Sequence, residues 1–136
     1  MKKIISLFII SLFVFFSCDY LGTYTFIVKN ETQETITLKF LNKSSYRDPD
    51  ENKEVVILRP TDEKTVRILD APFNVYSHDC LTNHGIAYFR ELVFDTYVNG
   101  VKMEKQLWQA ENWIYKKISR TSGKYNMIIT DELIKE

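Results

Sequence analysis

The chain has 136 residues, with eighteen Lys and Arg against eighteen Asp and Glu, so its formal charge is zero. A balanced charge without a basic run gives no electrostatic footprint for nucleic acid, and no internal repeat or low-complexity tract points to a solenoid or a disordered chain. The length suits one domain with its own hydrophobic core.

Met1-Lys2-Lys3 is followed by an apolar run from Ile4 to Phe16, broken only by Ser6 and Ser11. A basic start and an apolar stretch of this length form the n- and h-regions of a secretory signal. A spanning helix needs about 20 apolar residues, so the run is short for a membrane crossing. A buried core helix would carry polar residues at helical spacing, and none occur here. The run ends in Phe15-Phe16-Ser17-Cys18. Ser17-Cys18 resembles the lipobox of bacterial lipoproteins, in which a small residue precedes a cysteine that is lipidated and becomes the mature N-terminus. Phe15 and Phe16 are bulkier than the usual residues of that motif. Cleavage by the general signal peptidase is the alternative, but it calls for a pair of small residues, and Phe15 stands where the first would be. The resemblance implies cleavage after residues 1–17, lipid on Cys18, a short tether over residues 18–22 and a single domain over 23–136. The expected mature chain has sixteen cations and eighteen acids, with no polybasic membrane-binding segment.

Beyond the tether the chain alternates with period two. Thr23 to Asn30 places Tyr24, Phe26 and Val28 on one face, and Thr35 to Leu41 does the same with Ile36, Leu38 and Phe40. Polar residues 30–34 join them as a turn. Residues 42–53 are polar and aperiodic. Glu54 to Leu58 is a strand expected to be buried on both faces. Pro60 to Glu63 turns the chain into Thr65 to Leu69, with Val66 and Ile68 as its apolar set, ended by Pro72. Residues 73–90 give no clear period. Leu92 to Val98 and Val101 to Glu104 flank Asn99-Gly100, which accepts positive φ at both positions, as a type I′ hairpin turn requires. Trp113 to Ser119 and Lys124 to Thr130 form a second hairpin, with Tyr125, Met127 and Ile129 on one face. Thr130 can cap a last helical turn.

Short strands joined by hairpin-like turns predict an all-β fold with antiparallel sheets, an immunoglobulin-like β-sandwich first and a small up-and-down β-barrel second. Tyr24-Thr-Phe26-Ile-Val28, Asn99-Gly100, and Tyr125 with Ile129-Thr130-Asp131-Glu132 also resemble the loose pattern of small secreted β-sandwich lipoproteins of gut-type bacteria. That resemblance implies a fold and a location and carries no functional residues.

The sequence offers few groups for chemistry. His78-Asp79-Cys80-Leu81-Thr82-Asn83-His84 holds both histidines and the cysteine left over once Cys18 is lipidated. His78, Cys80 and His84 are weak candidates for a three-ligand zinc site or for a thiolate with a histidine base. Their spacing matches no zinc pattern, and an ordinary loop with a buried thiol is the simpler account of them. Asp48-Pro49-Asp50-Glu51-Asn52 starts like a calcium loop but has Lys53 where Gly belongs and Arg59 where Glu belongs. Asn30-Glu31-Thr32 and Asn42-Lys43-Ser44 match the glycosylation pattern by chance in a bacterial chain. Trp108, between the hairpins, is a binding-surface candidate if exposed and a core residue if not.

These features predict an exported lipoprotein of the cell envelope, held on the outer membrane or a periplasmic face by lipid on Cys18. Its domain is expected to be a non-enzymatic binding or accessory module for a protein or glycan, with no catalytic residues, cofactor or nucleic-acid partner. The alternatives are a small metal- or thiol-dependent envelope enzyme using His78, Cys80 and His84, and an inhibitor or immunity lipoprotein.

Overall fold

The computed structural model describes residues 21–42, 53–72, 91–119 and 121–135. Their alternating segments form β1 (Leu21–Asn30), β2 (Ile36–Phe40), β3 (Val55–Leu58), β4 (Glu63–Pro72), β5 (Phe94–Val98), β6 (Val101–Lys102), β7 (Ile114–Lys117) and β8 (Ser122–Ile129). A 3-10 turn at Ala110–Asn112 precedes β7, and one helical turn, α1 (Asp131–Ile134), follows β8. Thr130 caps α1, its side chain accepting from the Leu133 amide.

The strands form two four-stranded sheets, in the order β4-β1-β8-β7 and β3-β2-β5-β6. They pack as an all-β sandwich; the sheets do not close into a barrel. The inward residues are those the alternation marks: Phe26, Val28, Ile36, Leu38, Tyr125 and Ile129 are at most 1% exposed. Phe26 stacks on Tyr125 at 4.9 Å between centroids and meets the edge of Trp113 at 5.5 Å. Phe40 and Phe94 form a second T-shaped pair at 5.2 Å. Such pairs add about 0.5–1.5 kcal/mol each beyond area burial.

Two turns have the expected backbone. Asn99 (φ 49°) and Gly100 (φ 85°) form the tight β5–β6 connection. The Asn99 side chain accepts from the Thr35 amide (3.0 Å) and donates to the Glu34 carboxylate, fastening this hairpin to the β1–β2 turn. At the β7–β8 hairpin, Gly123 is needed for space, because a Cβ there would lie 2.5 Å from a Tyr115 ring carbon.

Four features depart from the sequence reading. First, β1 and β8 pair in parallel, from Thr23 opposite Ser122 to Asn30 opposite Ile129. Hairpin reasoning sees only sequence neighbours, whereas here the whole intervening domain serves as the crossover that a parallel pair needs. Second, β3 is buried on one face only: Val56 and Leu58 face the core, while Val55 and Ile57 are 46% and 51% exposed. Third, β4 contains a β-bulge. Phe26 is opposite Arg67 but Ile27 is opposite Thr65, so Val66 is the extra residue and Arg67 turns inward beside it. Leu69 is therefore buried in place of Ile68, which is half-buried on the outer face. Fourth, β1 begins at Leu21, inside the stretch read as tether.

Candidate functional site

β3 and β4 are edge strands of opposite sheets on the same side of the sandwich. Between them runs an open groove of about 530 Å³, within the size range of ligand clefts. Its exposed apolar surface comes from Val55 and Ile57, with buried Val56 and Val66 also lining it, and its polar rim from Lys53, Lys64 and Thr65. Lys64, opposite the inward Val28, donates to the Ile57 carbonyl at 2.6 Å and pairs with Asp62 at 3.0 Å. An ammonium placed over a four-residue edge strand blunts its tendency to pair with another chain. The Asp62 carboxylate also accepts from the Arg59 amide (3.0 Å). That hydrogen bond, with help from Lys64, holds its pKa below the ordinary aspartate value.

A second hollow, about 480 Å³, lies where β6 ends after two residues and leaves part of β5 uncovered. Asp95, Thr96, Lys102 and Met103 line it. Lys102 pairs with Asp95 at 2.8 Å, which raises the lysine pKa. The buried Thr96 hydroxyl has no partner among the described residues.

The buried polar groups are structural. Arg67 has no exposed surface. It donates to the carbonyls of Lys53 (2.7 Å), Glu91 (3.2 Å) and Asn42 (3.4 Å), and its guanidinium lies 3.7 Å from the centre of the Phe40 ring. Burial pulls its pKa down to about 10, opposed by the nearby charges of Glu91 and Glu54, so the group stays charged at neutral pH. At the opposite end, Asn30 is equally buried. Its amide donates to Glu34 O (2.8 Å) and Leu58 O (3.2 Å), and its oxygen accepts from the Thr32 amide (3.0 Å) and hydroxyl (2.8 Å). Arg67 is marked by no motif, and Asn30 stands in Asn30-Glu31-Thr32, whose Asn and Thr bond each other in the fold. Arg67 carries no signal because the bulge reverses its expected side; Asn30 carries only the general turn preference of Asn.

Trp108 is 7% exposed and belongs to the core, its carbonyl accepting from the Trp113 indole at 3.2 Å. It therefore provides no exposed aromatic platform, and the exposed large apolar side chains among the described residues are aliphatic: Val55 and Ile57 on β3, with Leu41, Val101, Ile114, Ile118 and Ile128 elsewhere. Ser17, Cys18, His78, Cys80 and His84 lie outside the described residues. Among the described residues no three His, Cys, Asp or Glu side chains gather as a metal site, and no helix is long and apolar enough to cross a membrane. Searches against family models, curated proteins and solved structures find no match for this chain.

Proposed function

We propose that this chain is an exported cell-envelope lipoprotein, cut before Cys18 and held by acyl chains on that residue, with the sandwich acting as a non-enzymatic binding or accessory module. The observation that carries the reading is the order Lys2-Lys3, an apolar run to Phe16, then Ser17-Cys18. Each buried methylene adds about 0.8 kcal/mol of membrane affinity, so two or three chains hold durably where one would exchange. The short approach to the domain also supports the reading. Only Asp19 and Tyr20 separate Cys18 from Leu21, the first residue of β1. Three peptide steps reach about 10 Å at most, which keeps a lipid-anchored sandwich against the headgroups.

The test is intact-mass analysis and membrane fractionation in the native host, with Cys18→Ser alongside. The wild-type chain is expected in the membrane fraction, beginning at residue 18 and carrying acyl mass; the variant is expected to leave that fraction. Retention of Met1, an unmodified Cys18 or unchanged fractionation of the variant refutes the anchor.

A further inference from the structure

The end of the sandwich where β1 begins also holds the β7–β8 turn. Thr23 donates its amide to Thr121 O at 2.8 Å, and Ile118 and Ser119 close the turn through Ser122 O at 3.0 and 3.1 Å. Just above that turn Lys116 stands directly opposite Lys124, and Lys117 opposite Gly123. All three lysines are exposed. None makes an ion pair or side-chain hydrogen bond among the described residues. Like charges facing each other across an antiparallel pair oppose sheet formation, so the fold itself gives no reason for this placement. Ile118, 50% exposed, lies beside them at the turn.

The wider charge distribution is lopsided. Residues 112–130 contain four Lys and Arg and no Asp or Glu, while the rest of the chain from residue 18 has twelve cations against eighteen acids. At the opposite end Glu31, Glu34, Asp62, Glu63, Asp131 and Glu132 are interspersed with Lys29, Arg59, Lys64 and Lys135 around the turns and α1, two of these lysines paired with Glu31 and Asp62. The β7–β8 hairpin is cationic, whereas acids and cations are mixed at the far end.

We infer that the β7–β8 end is a membrane-seating surface, with Lys116, Lys117 and Lys124 resting on anionic phospholipid headgroups and Ile118 at the interface. The inference builds on the lipid-anchor reading. The tether holds this end within about 10 Å of the headgroups, one Debye length at ordinary ionic strength, where surface charge is still felt. Lys116 and Lys124, eight residues apart in sequence, converge through strand register, and Lys117 adds its charge from the other face of β7 beside the turn.

The test uses the lipidated chain extracted from native membranes and reconstituted into vesicles of phosphatidylcholine alone or mixed with phosphatidylglycerol. Amine-reactive labelling, read by mass spectrometry, compares Lys116, Lys117 and Lys124 with Lys64 and Lys102. The three are expected to label about five-fold more slowly in the anionic vesicles, with high salt restoring their rate, while the other two do not change. Intact mass of the same sample reports the anchor separately. An acylated chain whose three lysines label equally in both vesicles overturns the seating and leaves the anchor standing. A chain without acyl groups overturns both.

Discussion

Removing Arg67 tests how the end of the sandwich nearest β1's first residue is held together. The guanidinium makes two close bonds to carbonyls, at 2.7 and 3.2 Å, and a long third at 3.4 Å. Hydrogen bonds from a charged donor contribute about 1.5–3 kcal/mol each, so the close pair supplies about 4 kcal/mol. The contact with the Phe40 ring adds about 1–2 kcal/mol, as expected of a desolvated cation over an aromatic face. Desolvating the charge opposes these terms by several kcal/mol, since among the described residues no carboxylate bonds the guanidinium directly. Arg67→Met keeps most of the volume and escapes the desolvation penalty, so it should lose about 2 kcal/mol. Arg67→Ala also leaves a cavity and should lose about 4 kcal/mol. At about 3–4 °C per kcal/mol for a domain of this size, the expected falls in Tm are about 7 and 14 °C. Urea unfolding followed through Trp108 and Trp113, both buried, measures the difference. Hydrogen exchange at the Phe40 and Leu41 amides, which bond Glu54 O and Val93 O beside the arginine, should accelerate in Arg67→Met beyond the global loss. If Arg67→Met is as stable as the wild type, with unchanged exchange at those amides, the arginine is not the staple described.

Asn30→Ala removes four side-chain hydrogen bonds and leaves buried partners in two turns, so a loss of about 2–4 kcal/mol is expected in urea unfolding. Gly123→Ala puts a methyl into the Tyr115 ring and should destabilise by about 1–3 kcal/mol, with much of the loss restored in Gly123→Ala/Tyr115→Ala; no rescue would place the strain elsewhere. The lowered pKa of Asp62 means that its contribution is complete above the unfolded aspartate value near 4 and is lost as pH falls through the lower folded value. Asp62→Asn should therefore flatten the acid limb of the stability–pH profile below about 4, and an identical acid limb in the variant would show that the carboxylate contributes nothing.

The fold was legible where two signals coincide. Tyr24, Phe26 and Val28 alternate and are bounded by a polar turn, and their strand and inward face are found as expected; Asn99-Gly100 demands positive φ at both positions and adopts it. Legibility failed where long-range structure decides. Val55 to Leu58 is apolar at every position, so its pattern cannot reveal that it is an edge strand with Val55 and Ile57 outward. A single inserted residue, Val66, reverses inward and outward along β4, which brings a charged side chain into the core that no hydrophobic pattern would place there. The candidate site shows the same division. Trp108 could be named from sequence but not assigned to core or surface, because its segment has no period. The β3–β4 groove and the paired lysines arise only from register and sheet order.

Arg67 and Asn30 have a common origin in unequal sheets. β1 and β4 each have ten residues, whereas β2 and β5 have five and β3 has four. At about 3.3 Å per residue, one sheet is about twice as long as the other. The short sheet is aligned with the second half of β1: Asn30 bonds Leu58 O at one limit, and Arg67, opposite Phe26, reaches Phe40 and Asn42 at the other. Each limit exposes strand-end carbonyls to an apolar interior, and each is met by an inward polar side chain long enough to reach them. The mismatch lies wholly on the side of Leu21 to Thr25, the part of β1 that follows the proposed anchor. Among the described residues, the short sheet thus stops about five residues, about 16 Å, short of the start of β1. Lys116, Lys117 and Lys124, on β7 and β8, belong to this longer sheet.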